Sequence, residues 1–225
     1  MKIAELFYSI QGEGMLTGVP SVFIRTSGCN LRCVWCDTPY TSWKPEGAEM
    51  EIEEILAYVA GHSTGYTVVT GGEPMIATGI VELTRRLGQA GQHITIETAG
   101  TVFAPVECDL MSISPKLANS TPLEDAYWAG RHEKLRWNPE VVRQLMAVSA
   151  YQLKFVVSQE SDLVEVRRMR EEAGAPADRV VLMPEGTESL ILGYRSCWIS
   201  KACKREGYRF STRLHVLLYG NRRGV

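Results

Sequence analysis

No stretch of this 225-residue sequence is apolar for long enough to cross a bilayer, which takes about 20 residues as a helix. A membrane-embedded protein is therefore excluded from the expectation. The opening MKIAELFYSIQGEG has only short apolar stretches, interrupted by Glu5 and Ser9. It lacks the apolar core of a signal peptide, and the expected location is the cytoplasm. Charge of one sign is scarce as well: 24 basic against 26 acidic residues leave a net charge of −2. That is a poor basis for a broad nucleic-acid surface, so no nucleic-acid partner is expected. Internal repeats, low-complexity tracts and linkers are missing, which points to one domain over 1–225. Histidines number only four, and His62, His93 and His132 show no ligand spacing.

Against these absences stand six cysteines. A reducing compartment disfavours a disulfide framework, so thiols for metal or chemistry are the better reading.

Apolar runs bounded by turn residues alternate with stretches of helical period. Ser21 to Thr26, Tyr66 to Thr70, His93 to Glu97, Asp109 to Ile113, Gln152 to Val157 and Arg179 to Met183 read as strands. Glu51 to Ala60, Gly79 to Ala90, Pro139 to Val148, Gln159 to Ala173 and Thr187 to Arg205 place apolar residues three and four apart and read as helices. This alternation predicts an α/β fold with a mainly parallel sheet, an open or partial β/α barrel of about six units. Its functional loops should gather at the carboxyl ends of the strands. The polar, tryptophan-containing stretch from Leu117 to Asn138 fits the pattern poorly and reads as a long excursion with a short helix, a candidate lid. His215 to Val225 reads as a strand and tail.

Three cysteines, Cys29, Cys33 and Cys36, lie within eight residues directly after the first of these strands. Three thiolates on one loop can hold a cubane cluster with its fourth iron open. A structural zinc site needs four protein ligands, and here the fourth would have to come from a distant Cys108, Cys197, Cys203 or His215. Cys197 and Cys203, six apart on a predicted helix, turn to different faces, so a second cluster is not expected there.

The C-x3-C-x2-C loop resembles the signature of the radical S-adenosylmethionine superfamily, whose open iron chelates the methionine part of the cofactor. Thr70-Gly71-Gly72-Glu73-Pro74, at the end of the next predicted strand, resembles the superfamily's methionine-binding segment. Two glycines there let backbone approach a ligand, and Glu73 offers an acceptor for an ammonium group.

The flanking segments are similar to the 7-carboxy-7-deazaguanine synthase family. They are Ser9 to Gly14, Thr17 to Pro20, Phe23-Ile24-Arg25, Trp35 to Thr38, Glu97 to Gly100 and Ser114-Pro115-Lys116. The resemblance implies a radical lyase that converts 6-carboxy-5,6,7,8-tetrahydropterin to 7-carboxy-7-deazaguanine with loss of ammonia. It implies a 4Fe-4S cluster on Cys29, Cys33 and Cys36, S-adenosylmethionine, and Mg2+ at Thr38. By the same resemblance Gln11, Gly12, Glu13, Arg25, Thr70 and the terminal Val225 would meet the substrate. Trp35, Cys36, Asp37, Gly72, Glu73, Ser114, Pro115 and Lys116 would meet the cofactor. Arg25 suits a carboxylate because its guanidinium can donate two parallel hydrogen bonds. No residue stands out as a general base. An external electron donor such as a flavodoxin is implied, and an exposed edge strand makes a homodimer the expected assembly. A glycyl-radical activase shares the cysteine loop, but Gln11 to Gly14 and Arg25 argue against it. A zinc-stabilised binding module would leave the Gly-Gly-Glu-Pro segment without a role.

Overall fold

The computed structural model describes residues 1–225. Its elements in chain order are β1 (Lys2–Ile10), β2 (Pro20–Thr26), α1 (Pro39–Ser42), β3 (Ala48–Glu49), α2 (Ile52–Ala60), β4 (Tyr66–Gly71), α3 (Ile80–Gln89), β5 (His93–Thr98) and β6 (Leu110–Ile113). There follow α4 (Ala126–Leu135), α5 (Pro139–Met146), β7 (Ala150–Val157), α6 (Asp162–Ala173), β8 (Val180–Pro184), α7 (Ser189–Glu206), β9 (Arg209–Phe210) and α8 (Leu214–Tyr219). Local chemistry sets these boundaries. Glu51 and Glu54 form a reciprocal capping box at the start of α2, and Asn138 caps α5 just ahead of Pro139. Gly174 and Gly207, both left-handed, stop α6 and α7.

All strands join one sheet in the order β3-β1-β2-β4-β5-β6-β7-β8-β9. From β2 to β9 every neighbouring pair is parallel, whereas β1 runs antiparallel to β2, and β3 to β1. The parallel strands are laid down strictly in sequence, with no reversal of direction across the sheet. Right-handed crossovers then place the helices on one face and let the sheet curl around the other, giving an open, partial β/α barrel. An irregular loop replaces the helix between β5 and β6. One large apolar cluster includes Ile24, Val69, Ile96, Ile113, Leu153, Phe155 and Leu182 from the strands, and Leu83, Leu145, Val166 and Ile199 from the helices. No helix is long and apolar enough to cross a membrane.

The strands expected from the apolar runs are all present. Strands β1, β3 and β9 are additional. β1 escapes the alternation rule because a bulge between Ile3 and Glu5 shifts its register, so that Ile3 and Phe7 are buried while Glu5 lies between them. The C-terminal segment, expected as a strand, is instead helix α8 and a tail. A six-residue apolar run suits either conformation. Here β9 already occupies the sheet edge, the Leu214 N–H donates to the Gly12 carbonyl at 2.9 Å, and Val216 is buried.

Candidate active site

The loop after β2 carries the cysteines. Gly28, at φ 105°, turns the chain out of the sheet, a conformation that disfavours side chains. Its N–H donates to Thr41 O at 2.8 Å, and its carbonyl accepts from Glu73 N at 2.9 Å. The Gly-Gly-Glu-Pro turn is thus bonded directly to the base of the cysteine loop. A Cβ on Gly72 would lie 2.2 Å from Gly28 O and 2.8 Å from Cys29 Cβ. Gly72 is required for this close approach of two backbones.

Cys29, Cys33 and Cys36 all line one cavity at the carboxyl ends of the strands, together with Trp35, Asp37, Gly72, Ser114 and Lys116. None is in a disulfide. Burial pushes the Cys29 thiol up to about 11 and the Cys33 thiol up to about 12. Burial outweighs the nearby Lys116 ammonium, and a cationic centre bound to the sulfurs would favour their thiolate forms. No three His, Cys, Asp or Glu side chains converge as they would on a single ion. Ligands of a cubane each hold a different iron, so they need to share a cavity and not a point. Donors also face the sulfurs: the Leu31 N–H reaches Cys29 Sγ at 3.4 Å, and Ser42 Oγ stands 3.4 Å from Cys36 Sγ. The donor set therefore fits a cluster held by three thiolates.

A second cavity, more polar, is lined by Gln11, Gly12, Glu13, Arg25, Thr70 and Val225, which are all the residues expected at a substrate. The cavities share a wall that includes Glu13, Asp37, Thr38, Thr70, Glu97 and Arg213. Glu13 is ion-paired to Lys154 and, at 3.2 Å, to Arg213 Nε. Arg213 also pairs with Asp37 and donates to Gly186 O at 2.7 Å. Glu97 accepts from Gln11 Nε2 at 3.2 Å and from Thr70 Oγ1 at 2.9 Å, and lies 3.9 Å from Lys154 Nζ. Burial would raise the Glu13 carboxyl, but Lys154, then Arg213 and His215, hold it well below the ordinary carboxylate range. Arg25, which lines this cavity, donates through Nε to Glu5 at 2.9 Å, while its two terminal nitrogens make no hydrogen bond within the chain.

Two expectations change. The carboxylate of Glu73 does not face the cavity: it is fully buried and accepts from Thr98 Oγ1 at 2.7 Å, Ala99 N at 2.8 Å and Met75 N at 3.1 Å. It ties the end of β4 to the end of β5. Pro115 likewise stands outside the lining, between Ser114 and Lys116, which are both in it. No residue of the Leu117 to Asn138 excursion lines either cavity. Among the residues without an expected role, Lys154 and Arg213 are the most telling. A lysine inside the apolar strand QLKFVV was the available signal, because buried lysines in parallel strands need a partner.

An open β/α barrel with a three-cysteine loop after its first parallel strand is the architecture of radical S-adenosylmethionine enzymes, and residues 23–120 match the radical SAM superfamily model. Over 226 residues the chain is 47% identical to the 7-carboxy-7-deazaguanine synthase of Rhodopirellula baltica, covering 99% of this chain and 88% of that protein. It is 43% identical to the synthase of Halobacterium salinarum, covering 98% of this chain and 91% of that one. The crystal structure of QueE from Escherichia coli superposes with a TM-score of 0.67 at 27% identity, covering 95% of this chain and 94% of that chain. The chain belongs to the 7-carboxy-7-deazaguanine synthase family.

Two predictions follow from this geometry. Gly72→Ala drives a methyl group into Gly28 O and should displace the cysteine loop, so that anaerobic reconstitution loads markedly less iron than in the wild type, by colorimetric iron assay. Glu13, whose folded carboxyl lies below its ordinary value of 4.5, contributes stability fully above that pH and loses it as pH falls further. The urea-denaturation difference between wild type and Glu13→Gln should therefore be constant above about pH 5 and shrink toward pH 3.

Proposed function

We propose that the chain converts 6-carboxy-5,6,7,8-tetrahydropterin to 7-carboxy-7-deazaguanine with release of ammonia, using a 4Fe-4S cluster, S-adenosylmethionine and Mg2+. The observation that carries this reading is the shared wall between a three-thiol cavity and a polar cavity containing a guanidinium with free donors. When bound, the cluster and cofactor supply a carbon-centred radical able to take hydrogen from the substrate.

The remaining work falls to the chain. Arg25 meets the substrate carboxylate with its two terminal nitrogens, while its Nε bond to Glu5 fixes the plane of the fork. Glu13, held ionised by Lys154 and Arg213, can only accept, which suits the amino and ring N–H groups of a pterin. Gln11 and Thr70 are oriented by Glu97 toward the same space. Thr38 Oγ1, met only by long approaches from Thr41 Oγ1 at 3.4 Å and Cys36 Sγ at 3.8 Å, would serve as an oxygen ligand of Mg2+. Gly72, Ser114 and Lys116 border the cofactor side. Lys154, which lines the three-thiol cavity, stays charged between Glu13 and Glu97 and could give or hold a proton as ammonia leaves. The tail, including Val225, closes the far side of the polar cavity and limits water. This reading also implies a flavodoxin as electron donor and a homodimer, for which exposed Leu190 and Tyr194 on α7 offer apolar surface.

The test is anaerobic reconstitution followed by reductant, S-adenosylmethionine, Mg2+ and 6-carboxytetrahydropterin, with 7-carboxy-7-deazaguanine sought by mass spectrometry. Cofactor cleavage without that product would overturn the substrate, and failure to bind iron would overturn the enzyme class. Arg25→Ala should lower kcat/KM by about 100-fold, mostly through KM, as expected for lost hydrogen bonds to a charged group.

A further inference from the structure

The excursion between β6 and α5 packs onto the cysteine loop. Arg32, Val34 and Trp35, which lie among the three cysteines, are each bonded to it. The Val34 N–H donates to Ser120 O at 2.9 Å, and Trp35 Nε1 donates to Asn119 O at 3.1 Å. The Arg32 guanidinium stacks over Trp128 at 4.1 Å and donates back to Cys29 O at 2.8 Å and Leu31 O at 2.7 Å. Leu135 of α4 packs against the small apolar cluster of Leu31, Cys33 and Ala99.

At the centre is His132, fully buried. The Arg32 N–H reaches its Nδ1 at 3.2 Å, so Nδ1 must accept. The ring proton then sits on Nε2, which donates to Ser120 Oγ at 2.8 Å, and Ser120 Oγ donates in turn to Leu117 O at 2.7 Å. Every polar hydrogen in the chain Arg32, His132, Ser120, Leu117 has one acceptor, and only one ring tautomer satisfies them all. Burial pushes the imidazole down to about 4, which agrees with a neutral ring.

We propose that the excursion is a clamp that fixes the shape of the cysteine loop, and that His132 is its positioning residue, holding the Arg32 amide so that Cys29 and Cys33 face one cluster. The proposal rests on the reading of Cys29, Cys33 and Cys36 as cluster ligands. His132 reaches neither cavity, so it acts through the loop backbone and not on a ligand.

Two near-isosteric variants separate this role from simple packing. His132→Asn places an amide oxygen where Nδ1 was and keeps an acceptor for Arg32. His132→Gln places its amide near Nε2 and leaves the Arg32 N–H without one. In the metal-free chain, hydrogen exchange at the Arg32 amide should rise about tenfold or more in His132→Gln, as for a lost hydrogen bond, and stay near wild type in His132→Asn. In the reconstituted protein, iron release to a chelator and the EPR signal of the reduced cluster should change in His132→Gln and be restored in His132→Asn. Equal behaviour of the two variants, or iron-release rates that merely follow Tm, would overturn the clamp. If His132→Gln does not fold, His132→Leu, which also leaves the Arg32 N–H without an acceptor, carries the same expectation. If the wild-type chain takes up no iron, the cluster reading fails, and Arg32 exchange in the metal-free chain still decides whether His132 holds the loop.

Discussion

Charge placed where water is scarce governs the middle of this molecule. Glu13, Lys154, Arg213 and Asp37 meet at the boundary between two cavities, joined in an alternating chain of opposite sign. Glu13, Lys154 and Arg213 would each be costly to bury alone, by several kcal/mol. Each is tolerated because its neighbours neutralise it, and removing Arg213 leaves Asp37 without a partner ion. The four come from the loop after β1, the strand β7, the segment before α8 and the end of the cysteine loop. The network thus draws distant parts of the chain to one place, and the two cavities exist in their present shape only while it is intact.

The sheet makes that convergence possible. Because the parallel strands follow one another in order, all of their carboxyl ends open on the same side. The cysteine loop leaves β2, the glycine turn leaves β4, Thr98 and Ala99 leave β5, and Ser114 leaves β6. Neighbouring strands deliver neighbouring loops, so bonds such as Glu73 N to Gly28 O need no long reach.

What was legible in the sequence was what depends on short spacing. The cysteine loop, the Gly-Gly-Glu-Pro turn and the six principal parallel strands are all local patterns, and the structure places them as the pattern suggests. Three things were not legible. The bulge in β1 broke the period on which strand reading rests. The run Leu214 to Tyr219 carries no periodic information and was settled by tertiary contacts. Lys154 and Arg213 find their common partner Glu13 at sequence separations of 141 and 200 residues, which no local pattern encodes. The bonds by which the excursion's buried His132 and Ser120 reach the cysteine loop span a similar gap, 100 residues from Arg32 to His132, and were equally beyond local pattern.

Glu73 shows how a residue can be essential to a ligand pocket that it never touches. Three donors, from Met75, Thr98 and Ala99, converge on its two oxygens. A glutamine of the same shape would turn an N–H2 group toward one of those donors, and no rotation of the side chain would relieve the conflict. The position calls for an acceptor-only group, and the carboxylate is the side chain of that length that has none but acceptors. The acid in the glycine turn is a mortise between two strands, and the space that it leaves in front of Gly71 and Gly72 is what a ligand can use.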